Sequence, residues 1–145
     1  MEQSPSEAVW KPQDLGWLLE EFAARLPDVS PRVVLASRDG LSACTAGPLD
    51  DDQRDAFAAA ASGLLALGRN AVTVLTPGRP ERSPGQIVIQ HPDGLVFIMA
   101  AGKGSILAVV TGADADAGRV GHEMAVLVQQ VGLHLVTPDR ARGQE

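Results

Sequence analysis

Apolar residues at Trp17, Leu18, Phe22 and Leu26 recur at the three-to-four-residue spacing of an amphipathic helix. Asp14 stands where an N-cap is needed. Pro27 ends the segment, because a proline disfavours the α region for the residue before it. Glu20 and Glu21 early and Arg25 late suit the dipole of that helix. Arg32 to Ser37 (RVVLAS) then reads as a strand, Asp39-Gly40 as a hairpin turn, and Leu41 to Ala46 as a weaker returning strand. Asp50, Asp51 and Asp52 open the longest helix, one as cap and the others at the positive end of the dipole.

The body of that helix, residues 56–67, is AFAAAASGLLAL. Gly63 in its interior costs about 1 kcal/mol. Either another backbone approaches closely over the small residues and offsets that cost, or the alanines simply make a good helix. The helix runs to about Asn70 or beyond, and Val72, Val74 and Leu75 either continue it or form a short extended piece. A polar, proline-rich loop follows over residues 76–85.

The second half of the pattern is strand-like. Gln86 to Gln90 (QIVIQ) is followed by a turn at His91-Pro92-Asp93-Gly94. Leu95 to Ala101 (LVFIMAA) is continuously apolar, which suits a central strand covered on both faces. A turn at Gly102-Lys103-Gly104-Ser105 leads to another buried strand, Ile106 to Thr111. Asp114 or Asp116 caps a last helix reaching about Leu135, with Met124, Leu127, Val128, Val131 and Leu135 on its inner face. Three tight hairpins imply a mostly antiparallel sheet, and the order αββα-βββ-α makes the chain α+β. Residues 1–13 and 137–145 read as disordered tails around one domain at 14–136, without internal repeats.

Composition narrows the function classes. Twelve basic against 18 acidic residues give a formal charge of −6, and only Lys11 and Lys103 are lysines. That balance argues against nucleic acid and against an anionic membrane surface. The amino terminus lacks a signal-peptide pattern, and no apolar run approaches the roughly 20 residues of a membrane span, so a cytoplasmic protein is expected. A single cysteine, Cys44, has no disulfide partner in the chain and reads as a small, half-buried strand residue.

Candidate chemistry dissolves on inspection. Gly102-Lys103-Gly104-Ser105 lacks the first glycine of a phosphate loop and precedes a strand, so it reads as a turn whose Lys103 is free to meet a partner. His122-Glu123 begins the zinc motif H-E-x-x-H, but Val126 holds the second histidine position. There is no G-x-S-x-G elbow, no tyrosine and no C-x-x-C pair. No catalytic residue, metal or cofactor is expected.

The segments RVVLASRDGLSACTAGPLDDDQRDAFAAAASGLLALGRNA, IVIQHPDGLVFIMAAGKGSILAVVT and GRVGHEMAVLVQQVGLHL together resemble the Roadblock/dynein light-chain family, its actinobacterial branch in particular. The likeness covers roughly residues 14–135 and rests on an S-x-D-G-L turn, an A-S-G-L helix, a D-G-x-x-x-V strand pair and a G-S-x-L-A-V strand. The resemblance implies a five-stranded antiparallel sheet in the order 2-1-5-4-3. The long helix would lie on one face and the first and last helices on the other. It implies a homodimer in which the third strand, Gln86 to His91, pairs with its copy and the second helix, Asp51 to Arg69, packs on its mate. The interface residues would be Phe57, Ala60, Ala61, Leu64, Gln86, Ile87, Val88, Ile89 and Gln90. It further implies a non-catalytic adaptor or regulator of a Ras-like small GTPase in a bacterial signalling cassette that also holds a sensor histidine kinase. Arg69 is the residue to propose as an inserted arginine, although relatives need none. The competing expectation is a small-molecule sensor with a profilin- or PAS-like pocket, which would require convergent polar groups in a cavity.

Overall fold

The computed structural model describes residues 11–78, 85–102 and 104–135. Its elements are a 3-10 turn (Pro12–Asp14), α1 (Gly16–Ala24), a second 3-10 turn (Pro27–Val29), β1 (Arg32–Ser37), β2 (Ser42–Ala46), α2 (Asp51–Leu75), β3 (Ile87–His91), β4 (Gly94–Ala101), β5 (Ser105–Thr111) and α3 (Ala117–His134). The strands form one sheet in the order β2-β1-β5-β4-β3, antiparallel throughout, as the resemblance implied.

The sheet is apolar on both faces. Val33, Leu35, Phe97, Leu107 and Val109 point to the side covered by α1 and α3. Val34, Ala36, Ile98, Ile106 and Ala108 point to the side covered by α2. This alternation is the period-two consequence of a pleated strand. It explains why β4 and β5 read as unbroken hydrophobic runs: both faces are buried, so no polar position interrupts them.

Two details of α1 differ from the expectation. Asp14 does not cap it. Its carboxylate accepts the Lys11 backbone N–H at 3.1 Å and closes the preceding 3-10 turn, while α1 begins at Gly16 behind Leu15 with no side-chain cap. Trp17 is not on the inner face either. Leu15, Leu18, Leu19, Phe22 and Leu26 form the buried i, i+3, i+4, i+7, i+11 stripe. Trp17 lies opposite that stripe, 40% exposed, with its ring edge-on to His134 at 5.2 Å. At its carboxyl end α1 is tied to α3. The Arg25 Nε meets Glu123 Oε1 at 2.8 Å, and Arg119 Nη2 donates to the Arg25 carbonyl at 2.9 Å.

The other helices start as expected. Asp50 accepts the Gln53 backbone N–H at 2.7 Å, and Gln53 reaches back to the Asp50 N–H at 3.1 Å, a reciprocal capping box. Asp116, rather than Asp114, caps α3 by accepting from Gly118 and Arg119. α2 continues without a break to Leu75, past the expected Arg69. Gly40 takes the positive φ (+84°) of the β1–β2 turn. At the other end of the sheet Gly94 opens β4 against the Thr111 carbonyl oxygen, a place with no room for a Cβ.

The packing yields a direct expectation. Phe97 is wholly enclosed between β4 and the α1/α3 layer. Phe97→Ala is expected to lower the free energy of urea unfolding by about 3–5 kcal/mol, whereas a loss below about 1 kcal/mol would contradict its placement at the centre of that layer.

Candidate functional site

α2 is an alanine-rich helix with two apolar faces. Ala58, Ala61 and Leu65 are buried against Val34, Ala36, Ile98, Ile106 and Ala108. The opposite stripe, Ala56, Ala60, Gly63, Leu67, Ala71 and Val74, is exposed. These six recur at three- and four-residue intervals, one line along the outside of the helix. Val74 is 77% exposed, and a Cβ built on Gly63 would meet no atom within 4 Å. The cost of Gly63 is therefore not offset by packing among the described residues. An 18-residue window of α2 reaches a mean hydropathy of 1.3, enough by length and composition for a membrane span, because its buried stripe and its outer stripe are both apolar. Polar residues (Asp55, Ser62, Arg69 and Thr73) fall along one flank between the two apolar stripes, and the sheet covers only the first of those stripes.

The sheet beneath is covered unevenly. α2 lies chiefly over β1 and β5. Towards β3, its flank residues Phe57 and Leu64 are half-buried with Ile87 and Val96, and Ile89 is exposed. β3 is an edge strand bonded only to β4, with Val88, Ile89, Gln90 and His91 exposed. Its outer row of backbone donors and acceptors is open to another strand. Side chains alternate, so Ile87 and Ile89 lie with Ile98 and Val96 on the α2 face, and Val88 and Gln90 lie with Phe97 and Leu95 on the other.

Of the nine expected interface residues, the structure brings Phe57, Ala60, Leu64, Ile87 and Ile89 to one side of the molecule, and places Val88 and Gln90 on the same strand edge. Two belong elsewhere. Ala61 is fully buried under α2 against its own sheet, because it lies roughly half a turn from the outer stripe. Gln86 precedes β3, and its amide lies across Gly121 of α3, about 3.0 Å from where a Cβ would stand, on the far face of the sheet. Leu67, Val74, Leu75 and Val96 extend the apolar area beyond the expected set. For Val74 and Leu75 the signal was the continued helical spacing past residue 70.

Elsewhere the chemistry is sparse. Among the described residues no group of three or more His, Cys, Asp and Glu stands close enough to hold a metal ion. Gly102 and Gly104 belong to the β4–β5 turn, with Ser105 N–H donating to the Gly102 carbonyl at 3.2 Å, and Lys103 lies outside the described residues. Arg69 is half-buried on α2. One open cavity of about 440 Å³ lies at the end of the sheet between Asp28, Arg32, Asp93, Thr111 and Asp114. Another of about 440 Å³ lies beside the β1–β2 turn.

Cys44 is half-buried on β2, and its Sγ donates to the Pro12 carbonyl at 3.3 Å. Burial pushes its pKa from 9.0 up to about 11. A backbone hydrogen bond at Leu15 opposes the shift, and the charge of Asp14 adds to it. The raised value keeps the thiol neutral and unreactive at physiological pH, the reverse of a nucleophile's environment.

The family model of the Roadblock/LC7 domain matches residues 15–111. A Roadblock/LC7 domain from Streptomyces avermitilis is 41% identical, with a TM-score of 0.75 over 85% of this chain and 98% of its own. A second Roadblock/LC7 domain from Streptomyces avermitilis is 30% identical, with a TM-score of 0.62 over 80% and 96%. The gliding protein MglB of Thermus thermophilus, 19% identical with a TM-score of 0.71 over 92% and 98%, shares the fold. No protein of curated function matches the chain.

The Cys44 environment predicts how the thiol behaves. Iodoacetamide at pH 8 is expected to alkylate the folded chain about tenfold more slowly than the unfolded chain, because the raised thiol pKa lowers the thiolate fraction by more than it raises the thiolate's nucleophilicity. The folded-state rate is expected to climb with pH until about 11. Equal rates in the two states would contradict the burial.

Proposed function

Because this chain belongs to the Roadblock/LC7 family, we propose that it is a non-catalytic, homodimeric adaptor that binds a Ras-like small GTPase in a bacterial signalling cassette and modulates its GTP hydrolysis. The observation that carries the dimer is the uncovered apolar side of α2 and β3: Ala56, Ala60, Gly63, Leu67 and Val74 in one stripe beside Ile87, Ile89 and an unpaired strand edge. A second copy related by a two-fold axis offers the same stripe and the same edge. The two third strands then pair antiparallel, and the two long helices lie side by side over a ten-stranded sheet. α2 spans roughly 37 Å at 1.5 Å per residue. Small residues at Ala56, Ala60 and Gly63 let two such helices approach closely, which accounts for a glycine in the middle of a helix.

The family relationship supports the GTPase as partner and a role in binding. The sensor histidine kinase remains a candidate further member of the assembly, and a cytoplasmic location accompanies this reading.

Light scattering is expected to give a mass of two 15.1 kDa chains, and Ala60→Glu to give one folded chain. An unpaired carboxylate buried between two helices costs about 3–5 kcal/mol. A dimer mass unchanged by Ala60→Glu would remove α2 from the interface. For the partner, calorimetry against a Ras-like GTPase encoded beside this chain is expected to show binding that depends on whether GTP or GDP is loaded. Absence of binding in both nucleotide states would overturn the GTPase reading and leave the dimer standing.

A further inference from the structure

α2 is not held equally along its length. Its first half is tied to the sheet: Ala58, Ala61 and Leu65 are buried, and the Ser62 hydroxyl donates to the Arg38 carbonyl. Past Leu65 no residue of α2 is buried. Among the described residues, none of 66–75 joins a core cluster. Leu67, Val74 and Leu75 are 65%, 77% and 79% exposed. At 1.5 Å per residue this arm is roughly 15 Å long.

The sequence of the arm holds it weakly. Gly68, Asn70, Val72, Thr73 and Val74 are all poorer helix formers than alanine or leucine. No basic residue stands in the last turn, and the C-cap is Thr76 rather than a glycine in the left-handed region. The arm extends an existing helix and needs no new nucleus. Most helical stability in a protein still comes from packing of an apolar face, and the described fold gives this segment none.

The sizes along the outer stripe point to what covers it. Its near half is small, with Ala56, Ala60 and Gly63, and its far half carries Leu67 and Val74. Ala56 and Gly63 stand seven residues apart, and so do Leu67 and Val74. Two copies of α2 laid antiparallel about a two-fold axis beside Leu65 set Leu67 on the partner's Gly63 and Val74 on the partner's Ala56. Each bulky side chain then meets a position without bulk, so the stripe read backwards is complementary to itself.

We propose that residues 66–75 are an assembly-coupled arm, helical against the α2 of a second copy and frayed in the separate chain. The inference rests on the dimer proposed above. It adds that the length of α2 and the association of two chains are one equilibrium. The far end of α2 is then a surface of the assembled protein alone, and a partner that touches it distinguishes two chains from one.

The test combines amide hydrogen exchange with light scattering on the same samples of the full chain. Ile89→Lys places a charge on the β3 edge and separates the copies without altering the sequence of α2. In the dimer the amides of residues 70–75 are expected to be protected about 100-fold or more. In the separated Ile89→Lys chain they are expected to exchange within about threefold of the free-chain rate, while those of residues 61–65 stay slow. Thr73→Ala, on the polar flank, improves the arm as a helix before association and is expected to tighten the dimer about threefold. Should Ile89→Lys fail to fold or to separate, dilution of the unsubstituted chain decides: helical far-UV signal is expected to fall in step with the mass. Arm amides protected in the separate chain, arm amides unprotected in the dimer, helical signal unchanged on dissociation, or a dimer no tighter in Thr73→Ala each overturn the coupling and leave the dimer standing. A single-chain mass for the unsubstituted protein at every concentration overturns the dimer and the arm's coupling with it.

Discussion

A five-stranded sheet with apolar side chains on both faces has to be covered twice, and the two covers here are unequal. On one face α1 and α3 together enclose Phe97, Leu107, Val109 and Leu35. On the other, α2 alone crosses the sheet, and it is centred on β1 and β5 rather than on the whole width. Burial of apolar area, at roughly 25 cal/mol per Å² removed from water, is the main term that holds such layers together. The uncovered flank of α2 and the α2 side of β3 are therefore the places where the same driving force is still unspent.

The small residues of α2 follow from that geometry. Ala58 and Ala61 let the helix settle closely on Val34, Ala36, Ile98 and Ala108. Larger side chains there would lift it off the sheet and leave voids along its length. Ala56, Ala60 and Gly63 do nothing comparable within one chain, since none of the described residues faces them. The helix is held in place at its start by the Asp50–Gln53 capping box, and at its middle by the Ser62 hydroxyl donating to the Arg38 carbonyl of the β1–β2 turn. That second tie anchors the near half of the outer stripe to the sheet, so that half is a preorganised surface; binding to it loses little conformational freedom.

Much of this was legible along the chain. Element order, the antiparallel sheet, the central position of β4 and an aspartate cap on α2 and on α3, though not which aspartate of each group, follow from local signals: hydrophobic period, turn residues and helix-end electrostatics. The misplacements have local causes too. Asp14 is one residue from a plausible cap, but its carboxylate is already engaged by Lys11. Trp17 was drawn inward by its size, although the leucines at 15, 18 and 19 set the phase of α1.

Of the candidate site, the sequence by itself determined the composition: an alanine-rich helix containing a glycine, and a short β-branched strand between a loop and a turn. Only the tertiary structure decided which residues face outward. The polar residues of this alanine-rich helix, Asp55, Ser62, Arg69 and Thr73, mark only one flank, so Ala60 and Ala61 are equivalent in chemistry until the sheet beneath selects one of them for burial. The same holds for Gln86, which reads as part of a strand but lies across Gly121 of α3. That contact joins residues 35 positions apart, and a pairing at such separation is set by how the layers stack, which no local pattern encodes.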